Sequence, residues 1–313
     1  MADPTPSPSS AAPPAPASSP HGGPLPARAS DYAHARHAGN VGDVFKHVAL
    51  CATLAAAARQ GEVALYAETH AGDGLFTLGS VGEWTSGAPK VWGLQGAGGA
   101  LGRFVKTMRG WSSATMSRPE KYPGSPLLAR ALLPASVKMV LHELDPQAAE
   151  VLRRSLQAQV PGREGAPAQE KATVLEQDGF AALPAALAAA GGAPCVALID
   201  PPYSGKHEWA QTAVCLEAAR KAAPQAALLT WYPMRALTRP RALLADLVGR
   251  GLHGTLVELV STPLRLKREK LNGSGVVFLN PPAGAVEELC ASLPALGPPL
   301  ATHGEWSAVQ IGF

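Results

Sequence analysis

From about Ser30 to the C-terminus, short apolar segments alternate with longer segments of helical patterning. The apolar segments are candidate strands, at residues 63–67, 137–144, 173–177, 196–199, 227–231, 256–260, 276–279 and 307–311. The helical segments are residues 44–60, 146–157, 181–190, 208–223, 239–250 and 285–293. This alternation predicts a mostly parallel, doubly wound α/β sheet. We further expect Asp43 to cap the first helix and the last two strands to form a hairpin-like edge.

Composition adds few constraints. Of the 313 residues 46% are apolar, enough for a sizeable core, and the net charge of +3 permits an anionic partner without demanding one. The sequence has no run of eighteen apolar residues, so we expect no membrane span. Its four cysteines are scattered without a CxxC pair, which favours a reducing compartment.

The two ends of the chain differ in complexity. Residues 1–30 are mostly Ala, Pro and Ser and predict a disordered leader, because they offer too little apolar surface to bury. Residues 31–313 predict one domain, interrupted at about residues 78–122 by a Gly-, Ser- and Lys/Arg-rich stretch. Since a structureless loop of that length is uncommon in a compact domain, we expect a small inserted subdomain there.

The tetrapeptide Asp200-Pro201-Pro202-Tyr203 directly follows an apolar strand. Ligands of open α/β sheets bind beyond the carboxyl ends of the strands, where this tetrapeptide lies. The Asp200 carboxylate and the Pro201 carbonyl can accept both hydrogens of an exocyclic amine, and Tyr203 offers a ring on which a base can stack. The simpler interpretation is a strand that ends at two prolines, with Asp200 in a turn.

Other strand ends carry residues typical of a nucleoside site. The turn after the first strand contains Gly72, where backbone can approach a ligand closely, although it lacks the G-x-G-x-x-G spacing. The second strand ends at Glu143, placed to bind a ribose diol, and the third at Asp178, placed to bind an adenine amino group. Together they favour a nucleoside cofactor.

These features resemble amino-methyltransferases that use S-adenosylmethionine, and the RlmJ family in particular. The motifs that carry the resemblance occur in the family's order: residues 32–40, 43–47, 69–72, 122–126, 178–180, 200–203, 231–233, 272–275 and 279–282. The resemblance runs from about Asp31 to the C-terminus. It implies a seven-stranded Rossmann-like methyltransferase sheet and transfer of a methyl group from S-adenosylmethionine to the N6 of one adenine in 23S ribosomal RNA.

The resemblance also implies roles for individual residues. Asp200 matches the catalytic acid, with Pro201, Pro202 and Tyr203 holding the target base. Positions lining the S-adenosylmethionine site are matched by His47, His70, Ser125, Glu143, Asp178 and Gly179, to which we add Gly72 and Asp200. Positions near the target nucleotide are matched by Tyr32, His34 and Lys46.

Alternatives remain open at this point. The acceptor could be DNA adenine or a glutamine amide, or the chain could be a catalytically silent RNA-binding module. A metal site at His34 and His37 lacks further ligands at zinc spacing, so we expect no metal. Two basic runs are either solvated surface or phosphate contacts; they are Arg103, Lys106, Arg109, Arg118 and Lys121, and Arg265, Lys267, Arg268 and Lys270. We expect a cytoplasmic monomer whose partner is large-subunit ribosomal RNA.

Overall fold

A computed structural model describes Met1 and residues 37–313, apart from residues 62, 114, 164–171 and 267–270. The described chain contains one large sheet of eight strands and a two-stranded ribbon. The strands are β1 (Leu65–Glu68), β2 (Leu75–Thr77), β3 (Lys121–Pro123), β4 (Lys138–His142), β5 (Ala172–Leu175), β6 (Cys195–Ile199), β7 (Ala227–Met234), β8 (Thr255–Val260), β9 (Gly273–Leu279) and β10 (Ser307–Gly312).

Helices connect most of these strands. They are α1 (Val41–Gln60), α2 (Ala88–Val91), α3 (Gly99–Gly110), α4 (Ser125–Leu132), α5 (Pro146–Gln157), α6 (Gly179–Ala188), α7 (His207–Ala222), α8 (Thr238–Gly249) and α9 (Ala285–Leu300), with a short 3₁₀ turn at Glu83–Ser86.

The large sheet has the strand order β10-β8-β9-β7-β6-β1-β4-β5. The five strands from β7 to β5 pair in parallel, whereas β9, β8 and β10 pair antiparallel. One apolar cluster covers the face beneath α1, α3 and α9, and a second covers the face beneath α6, α7 and α8. The predicted doubly wound α/β class is therefore confirmed.

Two details of the predicted sheet are wrong. The sheet has the eight strands that the sequence pattern predicts instead of the seven that the family resemblance implies, because β10 adds an antiparallel edge strand. That edge is also not a hairpin of the last two strands. The sixteen-residue helix α9 separates β9 from β10, and the chain returns to pair β10 with β8 instead.

The first helix begins earlier than predicted. Asn40, and not Asp43, is the N-cap, since its side chain accepts hydrogen bonds from the backbone N–H of Gly42 and Asp43. Helix α1 is long and apolar enough to cross a membrane by length and composition alone, but 78% of its most apolar window is buried. Such burial is typical of a core helix, and among the described residues no other helix passes this test.

The ribbon of β2 and β3 brackets residues 78–120, which we call the bracketed segment. Its 3₁₀ turn and α2 lie against the start of α1: Ala88 N–H donates to the Gly39 carbonyl at 2.9 Å, and Asn40 Nδ2 donates to Glu83 at 3.3 Å. A Cβ atom on Gly87 would lie 2.4 Å from the Asn40 backbone, so only glycine fits this crossing. The N-terminus of α1 is thereby fixed to the bracketed segment.

Candidate active site

Acidic side chains gather at one edge of the sheet. Glu68 ends β1, Glu143 follows β4, Asp178 follows β5 and Asp200 follows β6. These four strands are parallel neighbours, so their carboxyl ends share an edge. The structure therefore brings together the strand ends that the sequence pattern singled out.

A buried ion pair occupies the centre of this edge. Lys46 Nζ lies 2.5 Å from Asp200 Oδ2 and 2.7 Å from Asp43 Oδ1, and the Lys46 side chain is only 9% exposed. Burial would lower the pKa of Lys46, but the two carboxylates outweigh it and raise that pKa above its ordinary value. Burial raises the pKa of Asp200, and the Lys46 ammonium opposes this rise. Lys46, predicted near the target nucleotide, thus lies directly on the predicted catalytic acid.

One oxygen of Asp200 is left for a ligand. The hydrogen bonds and ion pairs among the described residues engage Oδ2 and leave Oδ1 without a donor. Asp43 is held in turn, because its Oδ2 accepts the backbone N–H of Gly39 at 2.9 Å. The first turn of α1 therefore positions Lys46, and Lys46 orients Asp200.

Tyr203 is less accessible than its predicted stacking role requires. It has a left-handed backbone conformation with φ of 50°, and the residue is only 8% exposed. Its ring lies 4.5 Å from the Trp209 ring and 6.2 Å from that of Trp231. Pro201 is buried and Pro202 exposed, so the tetrapeptide presents its second proline and Asp200 Oδ1 rather than an open tyrosine ring.

The predicted cofactor residues Gly72 and Glu143 are in contact. The Gly72 N–H donates to Glu143 Oε2 at 2.9 Å, and the Asp145 N–H donates to Oε1 at 3.0 Å. Each oxygen can still accept another hydrogen bond, since a carboxylate oxygen has two lone pairs. Glu143 is half-buried and oriented by backbone, which suits it to bind a diol.

Asp178 and Gly179 bring the end of β5 against the end of β1. Asp178 caps α6 by accepting the Phe180 N–H at 2.9 Å, and its side chain is exposed. A Cβ atom on Gly179 would lie 2.0 Å from the Thr69 carbonyl oxygen, so the two backbones touch here. His70, next to Thr69, packs its ring edge on Phe180 at 4.8 Å.

We expect Gly179→Ala to lower the free energy of unfolding by about 1–3 kcal/mol and to weaken binding of the predicted cofactor. The added methyl group must push the β1 turn and the start of α6 apart, and overpacking of this kind typically costs about 1–3 kcal/mol. Isothermal titration calorimetry measures the affinity. Gly249→Ala is the matched control, because no atom lies within 4 Å of its added Cβ. Unchanged cofactor binding by Gly179→Ala would contradict a cofactor site at this contact.

The predicted cofactor residues His47 and Ser125 are buried and held by the protein. His47 Nδ1 lies 2.7 Å from the Tyr122 hydroxyl, and the residue is 2% exposed. Burial, with a smaller contribution from Lys46, lowers the pKa of His47 to about 3, so the ring is neutral at physiological pH. Ser125 Oγ donates to Glu68 at 2.6 Å. Both side chains are therefore engaged by other residues of the protein.

Comparison with known proteins identifies the family. Residues 62–311 match the family model described as Ribosomal RNA large subunit methyltransferase D, RlmJ. The chain belongs to the RlmJ family. The predicted class, a ribosomal RNA methyltransferase that uses S-adenosylmethionine, is confirmed by this membership.

Individual relatives match over nearly their full length. The chain is 29% identical to Ribosomal RNA large subunit methyltransferase J of Escherichia coli, covering 87% of this chain and 95% of the relative. The protein of the same name from Haemophilus influenzae is 28% identical, covering 88% and 96%. A crystal structure of protein LPL1258 from Legionella pneumophila aligns with a TM-score of 0.75 at 25% identity, covering 88% and 98%.

The strand-end residues fit the cofactor of an RlmJ-family enzyme. Leu144 lies between Glu143 and Asp178 in the sequence, and this apolar residue is 67% exposed. His142 is fully buried, with Nδ1 2.7 Å from the Glu68 carbonyl, while its Nε2 has no partner among the described residues. A nucleoside offers an apolar base face and polar groups to such a site. No sequence pattern indicated a role for Leu144 or His142, although both adjoin the predicted Glu143.

Glu68 is the most unusual acid that sequence reasoning left without a role. It is 1% exposed, and its two oxygens accept the hydroxyls of Tyr66 at 2.7 Å and Ser125 at 2.6 Å. Burial raises the pKa of Glu68 to about 8 despite these hydrogen bonds. The signal that could have identified Glu68 from the sequence was an acidic residue at the end of an otherwise apolar strand.

We expect the stability of the RlmJ-family fold to fall as the pH rises from about 4.5 to about 8 because of Glu68. Its folded pKa of about 8 exceeds its ordinary value of 4.5, so the folded state binds more protons in this window and loses stability as pH rises. The slope is at most about 1.4 kcal/mol per pH unit for one proton. Urea unfolding of Glu68→Gln should show a shallower slope, whereas exposed Glu150→Gln should match the wild type. An identical slope in Glu68→Gln would refute the assignment.

Several predicted residues fall outside these contacts. Tyr32, His34, Lys267, Arg268 and Lys270 lie outside the described residues. In the described part of the chain, no group of three His, Cys, Asp or Glu side chains could hold a metal ion.

In the basic run from Arg103 to Lys121, three side chains contact other residues of the protein. Arg103 bonds to Glu288, Arg109 lies 4.5 Å over Trp92 and Arg118 lies 5.2 Å over Trp84. Lys106 and Lys121 are exposed.

Proposed function

We propose that the protein transfers a methyl group from S-adenosylmethionine to the exocyclic N6 of an adenine in 23S ribosomal RNA. The observation that carries the proposal is the Asp200 carboxylate at the end of β6, which is 15% exposed, paired with Lys46 through one oxygen and open at the other. The rigid Pro201 that follows can supply a second acceptor. Two acceptors side by side suit the two hydrogens of an amino group.

In the proposed mechanism, Lys46 keeps Asp200 ionised in spite of its burial. Asp200 Oδ1 and the Pro201 carbonyl accept the two N–H groups of the adenine, so that the nitrogen lone pair points out of the ring plane. S-adenosylmethionine, when bound, supplies an electrophilic methyl group whose bond to sulfur breaks as the bond to nitrogen forms. Orientation provides most of the acceleration. The methylated amine then releases its surplus proton, for which Asp200 is the nearest acceptor.

The remaining site residues have proposed supporting roles. Glu143 would bind the cofactor ribose and Asp178 its adenine, with Gly72, Gly179, His70, His47 and Ser125 forming the surrounding wall. Tyr203 would hold the target base, and because its ring is only 8% exposed, full stacking requires the loop after Asp200 to move when RNA binds. Pro202 would line the same pocket, and Tyr32 and His34 would contact the RNA.

The organisation of the chain is also part of the proposal. Residues 1–30 would form a leader without fixed structure, residues 31–313 one methyltransferase domain with an insertion at about 78–122. We propose that the enzyme acts as a monomer in the cytoplasm, where its ribosomal RNA substrate is made.

Incubation with methyl-labelled S-adenosylmethionine tests the function. Separated pools of ribosomal RNA, DNA and protein are offered, and the labelled RNA is digested to nucleosides for mass spectrometry. The proposal expects label in large-subunit RNA as N6-methyladenosine. Label confined to DNA or to protein glutamine, or cofactor binding without any transfer, would each overturn it in favour of one of the alternatives.

A further inference from the structure

A groove lies beside the loop that follows Asp200. It has a volume of about 300 Å³ and lies between the first turns of α7 and α8, where Lys206 and Trp209 face Arg239 and Leu243. Both helices begin at the carboxyl edge of the sheet, after β6 and β7 respectively. The ring of Trp209 contacts that of Tyr203 at 4.5 Å, so the groove adjoins the methyl-transfer site without being part of it.

The electrostatics of the groove favour an anion. Neither Lys206 nor Arg239 has a hydrogen-bond or ion-pair partner among the described residues. The one acid that lines the groove, Asp246, is paired with Arg250 at 2.9 Å. No side chain of the described residues caps α8, and its first turn has no acid, so it presents the positive end of its dipole. At the start of α7, Glu208 accepts the Gly205 N–H at 2.9 Å and offsets the dipole of that helix. Two unpaired cations and one helix N-terminus therefore lie at this groove.

The other wall of the groove is apolar and partly aromatic. Trp209 is 9% exposed, and its indole N–H has no partner among the described residues. Ala210, Ala242 and Leu243 complete this wall. An apolar wall beside a cationic rim matches a nucleotide, whose base is flat and apolar on its faces and whose phosphate is anionic.

We propose that this groove binds the nucleotide next to the methylated adenine, with its phosphate between Lys206 and Arg239 and its base at the apolar wall. Trp209 is 9% exposed, about as buried as Tyr203, so close contact of the base with its ring requires the same movement of the loop after Asp200. The inference rests on the proposed function, because it takes the occupant to be part of the same RNA strand. It assigns to the enzyme a second nucleotide subsite that would hold the strand while the target base enters the pocket at Asp200.

The test measures RNA affinity directly. The probe is a five-nucleotide RNA with a central adenine, bound to the full-length protein at several salt concentrations and followed by fluorescence anisotropy. We expect the double variant Lys206→Ala, Arg239→Ala to bind about tenfold more weakly and to reduce the slope of log affinity against log salt by about 0.7, as the loss of one neutralised phosphate on a single strand requires. We also expect an abasic residue on one side of the adenine to weaken wild-type binding about tenfold.

The matched control is Lys138→Ala, Arg220→Ala, which removes two positive charges at the opposite edge of the sheet and should bind like the wild type. Wild-type affinity and salt slope in the groove variant would overturn the subsite, as would indifference to abasic residues on both sides. Displacement of the RNA from the groove by an equimolar polyglutamate peptide would overturn the nucleotide assignment in favour of an acidic protein. Failure of the proposed function would be recognised by a different result. The wild type would leave transcribed 23S ribosomal RNA unmethylated, whatever its affinity for the probe.

Discussion

Asp200→Asn is expected to lower kcat about 10²–10³-fold, the range seen when one preorganised polar group at a reaction centre is removed. The amide keeps the shape of the carboxylate but replaces an anionic acceptor by a neutral one, and it can turn a donor towards the target amine. The ammonium of Lys46 then lies beside an uncharged group. Single-turnover methylation of ribosomal RNA at saturating cofactor measures the rate.

The control for this variant is Asp145→Asn. Asp145 caps α5, and asparagine caps helices equally well, so activity should stay close to that of the wild type. Calorimetry with S-adenosylmethionine separates a catalytic defect from a lost cofactor site. If Asp200→Asn methylates RNA at more than about a tenth of the wild-type rate, Asp200 does not have the proposed role.

Lys46→Met is expected to have the second-largest effect. It retains most of the length of the side chain but leaves the Asp200 and Asp43 carboxylates without their cation. Breaking a buried ion pair from one side costs about 3–5 kcal/mol, so the free energy of unfolding should fall markedly. The pKa of Asp200, already raised by burial, should rise further, so that remaining activity increases as the pH is raised and the carboxylate ionises.

Urea unfolding and a pH–rate profile together test this variant. Lys221→Met is a matched control, since Lys221 pairs with Glu217 on the surface of α7 and its side chain is 74% exposed. An exposed pair of this kind contributes less than about 1 kcal/mol. A Lys46→Met protein as stable as this control, with an unshifted pH–rate profile, would show that Lys46 does not maintain the charge of Asp200.

The fold class could be predicted because most of the strands contain short apolar runs, and acids mark the ends of four of them. The order of the strands at the antiparallel edge could not be predicted from the sequence. Sequence shows β9 and β10 as successive strands, but pairing depends on where α9 packs, and α9 lies against α1. That packing returns the chain beside β8, so the edge holds one strand more than the family pattern implied.

The strand ends that form the site could be predicted from the sequence, but the contacts between their residues could not. Lys46 and Asp200 are 154 residues apart, and nothing in either motif indicates that α1 aims its lysine at the end of β6. The burial of Tyr203 depends on Trp209, which belongs to the following helix. Glu68 was hidden for a related reason: its hydroxyl donors come from the same strand and from α4, beyond the bracketed segment.

The glycine crossing at the start of α1 has a consequence for engineering and for divergence within the family. Because Gly87 admits no side chain against Asn40, the bracketed segment and the first turn of the lysine-bearing helix form one mechanical unit. A chimera that takes the bracketed segment from a relative must therefore import residues 39–43 with it. Otherwise the graft would tilt α1 and move the ammonium away from its carboxylate, silencing an enzyme whose pocket residues are all still in place.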